Sequence, residues 1–286
     1  MNNRFLYLEP MGGLNDVLTG IYRGYSYCKK FNRILLINGN RTQYQVNFSD
    51  YFKFSLPSLI YDTELIKKVL ASSDSFYPSA FKESGNKFFG EGISFKFTDN
   101  GYYSSELKAY VNLPSSDIQE KVIISSICGG NVSQSYEIFK NLGFTEIVKS
   151  YCHSKRILLP NSYLCIHARN TDLKCNLDEL LSKNEGILNQ YRNIYLATDH
   201  KESINLLKSK LPSHRIFNFC SFPERSYNNL HGSDLSADIK IKDLLSDICI
   251  ALNAECFISN SKGLFVQLLR ILRKDKNSNL SKYTNI

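Results

Sequence analysis

Residues 163–172 read YLCIHARNTD, and this stretch decides the interpretation of the second half of the chain. Apolar side chains alternate along its first part with the period of a strand, and a polar turn ends it. His167 and Arg169 are two residues apart, so on a strand both project from one face near its carboxyl end. Ligands bind at that end of open α/β sheets, and an arginine there matches phosphate oxygens two at a time. Taken alone, the segment favours a plainer arrangement, in which Arg169 caps a surface turn and His167 packs in the core.

The residues that follow supply the context that favours a ligand site. Helical patterns alternate with short apolar runs, which predicts right-handed crossovers and a parallel sheet. The predicted elements are helices at 178–184, 201–211, 241–253 and 261–273, and strands at 193–198, 215–219 and 256–259. The second half is therefore a Rossmann-like domain, and Arg169 lies where such a domain holds a nucleotide.

The first half opens with a similar unit. A strand at 4–8, a glycine loop at 9–13, a helix at 14–31 and a strand at 33–38 form a βαβ pattern. The glycines allow close backbone approach to a ligand and direct N–H groups at it, although GGLND lacks the GxGxxG spacing of a dinucleotide site. Farther on we expect a helix at 63–71, a strand at 121–128 and helices at 133–142 and 145–151.

Residues 39–116 are rich in Tyr, Phe, Ser and Asn and show little periodicity, which predicts loops and short helices. Aromatic faces there could hold an acceptor sugar, although burial in the core is the more common fate of such rings. No change in composition marks a domain boundary, so the symmetry of the pattern places it near residue 155. We therefore predict domains at 1–155 and 156–286.

Length and composition limit the class of protein. The 286 residues predict two domains of ordinary size, and the net charge of +8 suits an anionic ligand or surface. The basic residues are scattered, which argues against nucleic acid. Eight cysteines without a CxxC pair predict a reducing compartment and argue against structural zinc. We find no signal peptide or membrane span and expect a cytoplasmic protein whose membrane contact is at most peripheral.

Acids and hydroxyls near the predicted crevice can each have a structural role or a ligand-binding role. Asp199 closes the strand NIYLATD and could hold a ribose or base hydroxyl, or cap the next helix. Asp243 and Asp247 lie four apart on the helix at 241–253, opposite its apolar stripe, where they form a solvated face or orient a base or a basic partner. Ser261 is expected to start the last helix as its N-cap. Its hydroxyl would then lie at the positive end of the helix dipole, which attracts a diphosphate.

Four short motifs, in the same order along the chain, resemble the fucosyltransferase-like superfamily of glycosyltransferases. This superfamily contains α1,2- and α1,6-fucosyltransferases, nodulation fucosyltransferases and protein O-fucosyltransferases. MGGLNDVL at 11–18 resembles the amino-terminal GGLGNQ-type loop, and CIHARNTD at 165–172 resembles the HxRxxD donor motif. YLATD at 195–199 and FISNSKGLFVQLL at 257–269 resemble the TD strand and the closing serine segment. Ala168 and Asn170 depart from the usual donor motif, and GGLND departs from GGLGNQ.

The resemblance implies an α/β protein of the GT-B fold, with two Rossmann-like domains facing a central cleft. It implies that the second domain binds the nucleotide-sugar donor and that the first lies on the acceptor side. Arg169 matches the arginine that contacts the donor diphosphate. The other residues expected at the donor are Gly12, Gly13, Asn15, His167, Asp172, Asp199, Asp247, Ser259 and Ser261. For the catalytic base we favour Asp16, with Glu9 as second choice, because both flank the glycine loop.

We therefore expect an inverting glycosyltransferase that acts in the synthesis of bacterial capsule or O-antigen. The donor is of the GDP-fucose type, and the acceptor is a glycan or a lipid-linked glycan near the inner membrane. No DxD motif, histidine pair or carboxylate cluster indicates a metal, so Arg169 and a helix amino terminus would neutralise the leaving group without a cofactor.

Two alternatives stay open, and two others are disfavoured by particular residues. A relative that uses UDP-galactofuranose fits nearly as well, and a non-catalytic carbohydrate- or nucleotide-binding protein could share the fold. A sulfotransferase would need a basic phosphate loop, and GGLND has no basic residue. A methyltransferase would need an acid at the end of the second strand, where Asn38 stands.

Overall fold

The computed structural model describes residues 3–82, 96–105, 107–169, 175–225, 227, 230 and 232–275. The chain divides into two compact units, Met1–Gly143 and Phe144–Ile286. This division comes earlier than the expected boundary near residue 155. The helix Glu146–Arg156 belongs to the second unit because it packs there against the helix Ala237–Asn253.

The first unit contains most of the short strands of the chain. Its strands are β1 (Phe5–Pro10), β2 (Ile34–Ile37), β3 (Phe52–Phe54), β4 (Leu59–Ile60), β5 (Phe76–Tyr77), β6 (Lys96–Thr98), β7 (Gly101–Ser104), β8 (Ala109–Tyr110) and β9 (Val122–Ile127). Its helices are α1 (Leu14–Phe31), α2 (Thr63–Ala71) and α3 (Val132–Lys140), with 3-10 turns at Gly39–Arg41 and Phe48–Asp50. Strand β10 (Leu142–Phe144) lies at the boundary.

Five strands of the first unit form a parallel sheet in the order β4-β2-β1-β9-β5. β1 and β9 are buried along their whole length, which explains why both read as apolar runs rather than as alternating patterns. Gly24 of α1 allows the helix close to the sheet, since a Cβ there would lie 2.8 Å from Leu8 Cδ2. The chain runs from β1 to β2 on one side and later returns to β9 on the other. The strand order therefore reverses between β1 and β9, and such a switch point is where open α/β sheets bind ligands.

Residues 39–116 differ from the expected loops and short helices. Helix α2 lies where it was predicted, but β6, β7 and β8 add an antiparallel sheet that the sequence did not indicate. These strands have two to four residues each, too few for a period-2 pattern to show. Several rings of this region, such as Phe81 and Tyr102, are buried in the core of the unit.

The second unit alternates strands and helices as predicted. Its strands are β11 (Leu164–Ala168), β12 (Asn193–Thr198), β13 (Arg215–Phe217) and β14 (Cys256–Ile258). Its helices are α4 (Glu146–Arg156), α5 (Leu177–Lys183), α6 (Glu185–Leu188), α7 (Glu202–Lys210), α8 (Ala237–Asn253) and α9 (Leu264–Lys274). The strands form one parallel sheet in the order β13-β12-β11-β14, so the strand order reverses between β11 and β14.

Two helices of the second unit begin three or four residues from the expected position. α8 begins at Ala237, because Ser236 caps it by accepting a hydrogen bond from the Ile239 N–H. α9 begins at Leu264 with Gly263 at its N-cap, so Ser261 precedes the helix. Within the described residues, none of the helices has both the length and the apolar character needed to cross a bilayer.

Candidate active site

The carboxyl edge of the second sheet brings Arg169 and Asp199 together. Arg169 directly follows β11 and Asp199 directly follows β12, two strands that pair in parallel register. The Arg169 Nε lies 3.7 Å from the Asp199 Oδ2, and both side chains are partly exposed. The N-cap of α7 is Lys201, whose side chain makes no capping hydrogen bond. A guanidinium carries five N–H donors, more than one carboxylate can accept, so the pair can orient Arg169 towards an anion.

His167 joins the two strands at the switch point. Its Nδ1 lies 3.4 Å from the Ser259 Oγ, which follows β14, and its ring packs 5.8 Å from the ring of Phe265. Burial lowers the pKa of His167 to about 4, with the positive charge of Arg169 adding to the effect against the opposing pull of Asp199. The imidazole is therefore neutral at physiological pH and acts through hydrogen bonds rather than through charge.

Ser259 and Ser261 form a turn that leads into α9. The Ser261 N–H donates to the Ser259 Oγ at 3.2 Å, and the Ser261 Oγ accepts from the Gly263 N–H at 3.2 Å. Ser261 was expected to start the helix, but its hydroxyl stabilises the preceding turn and Gly263 takes the cap. The helix leaves the N–H groups at its start without partners within the helix. Ser261 lies two residues before Gly263, so its hydroxyl can accept the Gly263 N–H only if Ser261 itself stays outside the helix.

Asp247 lies on α8, against β12 and the segment that follows β13. Its Oδ1 accepts a hydrogen bond of 2.5 Å from the Tyr195 hydroxyl, and its Oδ2 accepts one of 3.2 Å from the Cys220 thiol. Burial raises the pKa of Asp247 to about 7, despite the opposing effect of these two hydrogen bonds. The carboxyl group is thus poised to gain or lose a proton near neutral pH.

The acids on α8 were expected to form a solvated face if they had no ligand, and that expectation is wrong. Asp243 is 8% exposed, and its carboxylate accepts hydrogen bonds from the Tyr151 hydroxyl and the Ser221 N–H. The helix is covered on both sides, by α4 and by the segment after β13. Sequence reasoning missed Tyr151, Tyr195 and Cys220 because their partners lie 27 to 92 residues away.

In the first unit, the glycine loop follows β1 at the corresponding switch point. Gly12 has a φ of +96°, and a Cβ there would lie 2.7 Å from the Cβ of Asp16, so glycine is required. The Asp16 Oδ2 accepts the Gly13 N–H at 3.2 Å, which closes the first turn of α1. Burial raises the pKa of the Tyr102 phenol, and the nearby Asp16 carboxylate adds a smaller effect in the same direction.

Glu9 and Asn15 are more deeply buried than Asp16. Glu9, at 1% exposure, accepts a hydrogen bond of 3.0 Å from the Tyr7 hydroxyl, which in turn accepts one from the Asn38 amide. The Asn15 Oδ1 accepts the Ser135 hydroxyl at 2.6 Å, whereas its buried Nδ2 has no hydrogen-bond partner among the described residues.

The remaining expected site residue, Asp172, lies outside the described residues, as does Asn170. Among the residues that the structure describes, no group of three or more His, Cys, Asp or Glu side chains is arranged to hold a metal ion.

Comparison with known proteins gives a fold match without a sequence match. No protein-family model and no curated protein matches the sequence. The chain superposes on the NodZ α-1,6-fucosyltransferase co-crystallized with GDP with a TM-score of 0.61 and 17% identity, over 95% of this chain and 93% of that one. Fucosyltransferase NodZ from Bradyrhizobium gives a TM-score of 0.59 and 16% identity, over 95% and 94% of the two chains. POFUT1 in complex with GDP-fucose gives 0.57 and 12% identity, over 96% and 95%.

These matches cover nearly the whole of each chain, so the similarity includes both units rather than one shared Rossmann-like domain. The fold class expected from the sequence, α/β with two Rossmann-like units of the GT-B type, is confirmed. The NodZ structures among these matches are fucosyltransferases, as the resemblance of the four motifs indicated.

Proposed function

We propose that the chain is a glycosyltransferase that transfers a sugar from a donor of the GDP-fucose type to a glycan. One observation carries the proposal. Groups from three different strand ends, Arg169, Asp199 and the His167–Ser259 pair, meet at the switch point of the second parallel sheet. A cationic fork, a carboxylate and hydroxyls at this edge suit a nucleoside diphosphate. Related folds have been captured with GDP and with GDP-fucose, which supports the choice of donor.

In this proposal Arg169 binds the diphosphate. Asp199 orients its guanidinium, and a bidentate contact stabilises the charge that develops as the diphosphate leaves. Ser259, Ser261 and the amino terminus of α9 add hydroxyl and backbone donors at the same edge. His167 stays neutral, so it fixes Ser259 by a hydrogen bond without adding a cation.

The nucleoside end would lie towards α8. Asp247 supplies carboxylate oxygens, and guanine is the base that offers adjacent N–H donors to such a group. We also assign Asp172 to the donor site, on the strength of the HxRxxD motif alone. In the first unit we assign Gly12, Gly13 and Asn15 to the donor, because Gly12 leaves no room for a side chain and Asn15 holds a buried amide without a described partner.

The proposed reaction is an in-line displacement with inversion at the anomeric carbon. A base removes the proton of the acceptor hydroxyl, the oxygen forms the new glycosidic bond, and the bond to the nucleoside diphosphate breaks. Asp16 suits the role of base better than Glu9, since Asp16 is partly exposed whereas Glu9 is almost fully buried. Arg169 is the group that we expect to stabilise the leaving diphosphate.

We further propose that the reaction needs no metal cofactor. Arg169 and the donors before α9 supply positive charge where a metal would otherwise act. Activity should therefore survive an excess of EDTA. A loss of activity that magnesium or manganese restores would overturn this part of the mechanism.

The biological setting that we propose is the assembly of bacterial capsule or O-antigen. The acceptor would then be a glycan or a lipid-linked glycan at the cytoplasmic face of the inner membrane, with the first unit on the acceptor side. The net charge of +8 is compatible with such an anionic surface.

A donor panel tests the proposal. Thermal shift with GDP-fucose, UDP-galactofuranose and other nucleotide sugars should give the largest stabilisation with one GDP-linked sugar. Hydrolysis of that donor without any acceptor should release GDP, which a purely binding protein would not do. Stabilisation by UDP-galactofuranose alone would favour the alternative donor, and stabilisation without turnover under any condition would favour a binding protein.

A further inference from the structure

Three successive residues follow β13 at the carboxyl edge of the second sheet, and each is held by a different side chain. We refer to Phe219, Cys220 and Ser221 as the held loop. The Phe219 carbonyl accepts a hydrogen bond of 3.4 Å from the Lys155 Nζ on α4. The Cys220 thiol donates to Asp247, and the Ser221 N–H donates to the Asp243 Oδ2 at 2.7 Å.

Asp243 has the central position among these contacts. Its other oxygen, Oδ1, accepts a hydrogen bond of 2.6 Å from the Tyr151 hydroxyl on α4. One buried carboxylate thus joins α8, α4 and the held loop. Burying a carboxylate is costly, and the cost is offset here by the two short hydrogen bonds from Tyr151 and Ser221.

Asp243 and Asp247 stand one helical turn apart, so they contact neighbouring residues of the held loop. If Ser221 lost its anchor, Cys220 would move with it, and the Asp247 Oδ2 would lose its thiol donor. Tyr195 would remain the only described hydrogen-bond donor to that carboxyl group. The direction in which Asp247 points thus depends on a residue one turn earlier on the same helix.

We propose that Asp243, together with Tyr151, is a positioning residue that fixes the held loop and so sets the orientation of Asp247 towards the nucleoside of the donor. The inference rests on the proposed function for its ligand. It assigns Asp243 no contact with substrate. Removing Asp243 should therefore weaken donor binding and leave the chemical step nearly unchanged.

The first experiment compares variants at one position. Asp243→Ala removes both acceptor oxygens, and we expect about a tenfold rise in the Kd for GDP and in the KM for the donor, with kcat within about twofold of wild type. Asp243→Asn should restore most of the affinity, because its amide can accept from Ser221 and donate to the Tyr151 oxygen. Tyr151→Phe keeps the carboxylate and should give a smaller rise in the same direction, which provides a test if Asp243→Ala does not fold.

Asp238→Asn is the matched control. Asp238 lies on the same helix, is about half exposed and pairs with Lys242, so its loss should leave donor affinity unchanged. If Asp238→Asn and Asp243→Ala weaken donor binding equally, the loss of one negative charge on α8 explains the effect, and the proposal is overturned.

A second readout follows the loop itself. Alkylation with iodoacetamide, read by mass spectrometry, should modify Cys220 faster in Asp243→Ala than in wild type, while the buried Cys249 stays protected. Equal exposure of both thiols would indicate general loosening and overturn the positioning role. If wild-type protein fails to bind GDP, the proposed function is wrong; if it binds GDP and Asp243→Ala binds equally well, this inference alone fails.

Discussion

The two units share an architecture but differ in the chemistry of their switch points. Both are parallel sheets in which the strand order reverses, between β1 and β9 in the first unit and between β11 and β14 in the second. At the first switch point two acids flank the glycine loop, Asp16 and Glu9, with hydrogen bonds to residues two or three positions away. At the second, Arg169 meets Asp199 across thirty residues of sequence, and His167 meets Ser259 across ninety-two. The same topology thus places two acids beside the loop of one unit, which we call the acidic edge, and Arg169 with neighbouring hydroxyls in the other, which we call the cationic edge.

This difference suits a transfer reaction in which one unit supplies the base and the other stabilises the leaving group. An acid near an acceptor can take a proton, whereas a guanidinium near a diphosphate can stabilise a leaving group. Neither role follows from the fold, because the same folds carry many functions and the site decides among them. Substitution of single residues at each edge therefore tests whether the two units have these separate roles.

The largest effect is expected at the acidic edge. If Asp16 is the base, Asp16→Asn should lower kcat by about a hundredfold or more. Donor affinity and melting temperature should stay nearly unchanged, because an asparagine Oδ1 can still accept the Gly13 N–H. Initial rates with saturating donor and acceptor, together with a melting curve, measure both quantities.

Glu9→Gln is the matched control for this change. Glu9 lies on β1 and is hydrogen bonded to Tyr7, so its loss should affect stability more than turnover. If Asp16→Asn keeps turnover within a few-fold of wild type and Glu9→Gln abolishes it, the roles of the two acids are reversed. Asp16 would then be only the acid that closes the first turn of α1.

A smaller but still large effect is expected at the cationic edge. Arg169→Lys keeps the positive charge but loses the planar fork, so kcat/KM should fall by a factor of about ten to a hundred. Arg192→Lys, at an exposed arginine of the same unit, should leave activity unchanged. Near-native turnover of Arg169→Lys would remove Arg169 from the donor site and leave the second edge without its main cation.

The third prediction concerns the stability of the second unit as a function of pH. Asp247 has its pKa raised to about 7, so the folded protein holds a proton that the unfolded chain loses above about pH 4, and stability falls as pH rises from about 4 to 7. His167 has its pKa lowered to about 4, so the unfolded chain alone is protonated below about pH 6.5, and stability rises with pH between about 4 and 6.5. The two effects oppose each other over most of this range.

Asp247→Asn should therefore expose the His167 effect. Relative to wild type, the variant should lose additional stability on acidification from pH 6.5 to 4, on the order of 1 kcal/mol per pH unit. Urea unfolding midpoints at several pH values measure the slope, with Asp238→Asn as the control on the same helix. Parallel pH profiles for wild type and Asp247→Asn would show that Asp247 has an ordinary pKa.

Sequence patterns predicted the long, periodic elements well. The bounds of α1 and α2 are those expected, and the four parallel strands of the second unit lie where apolar runs alternate with helical patterns. Helix α8 was placed four residues late, because its first turn is polar and its start depends on the Ser236 cap. Strands β6 to β8 were missed because each is too short to show an alternating pattern of apolar and polar residues.

The site was predictable in part. A motif at the end of a strand places Arg169 and Asp199 at one edge, since register follows from the parallel sheet. Spacing alone could not show that Asp243 and Asp247 are covered, because Tyr151 and Tyr195 reach them from elements distant in sequence. Spacing also could not show that Ser261 precedes the helix, because that depends on the hydrogen bond from the Gly263 N–H to the Ser261 hydroxyl.

The smallest effect is expected at the carboxyl end of α9, where the predicted membrane contact would lie. The helix buries much of its apolar surface, including Leu268 and Leu272. Two of its arginines are used within the unit: Arg270 donates to the Ser259 carbonyl, and Arg273 donates to the Ala251 and Glu255 carbonyls.

These hydrogen bonds hold both guanidinium groups against the unit without neutralising them, and exposed Lys274 should add about 1 kcal/mol of attraction to an anionic leaflet. We therefore expect vesicles with anionic lipid to retain the protein at low salt and release it at high salt, and Lys274→Gln to weaken retention about fivefold. Lys208→Gln, at an exposed lysine near the end of α7, is the control for net charge and should leave retention less affected. If wild-type protein is not retained by anionic vesicles even at low salt, peripheral membrane contact is excluded under these conditions, and the acceptor must be met in solution.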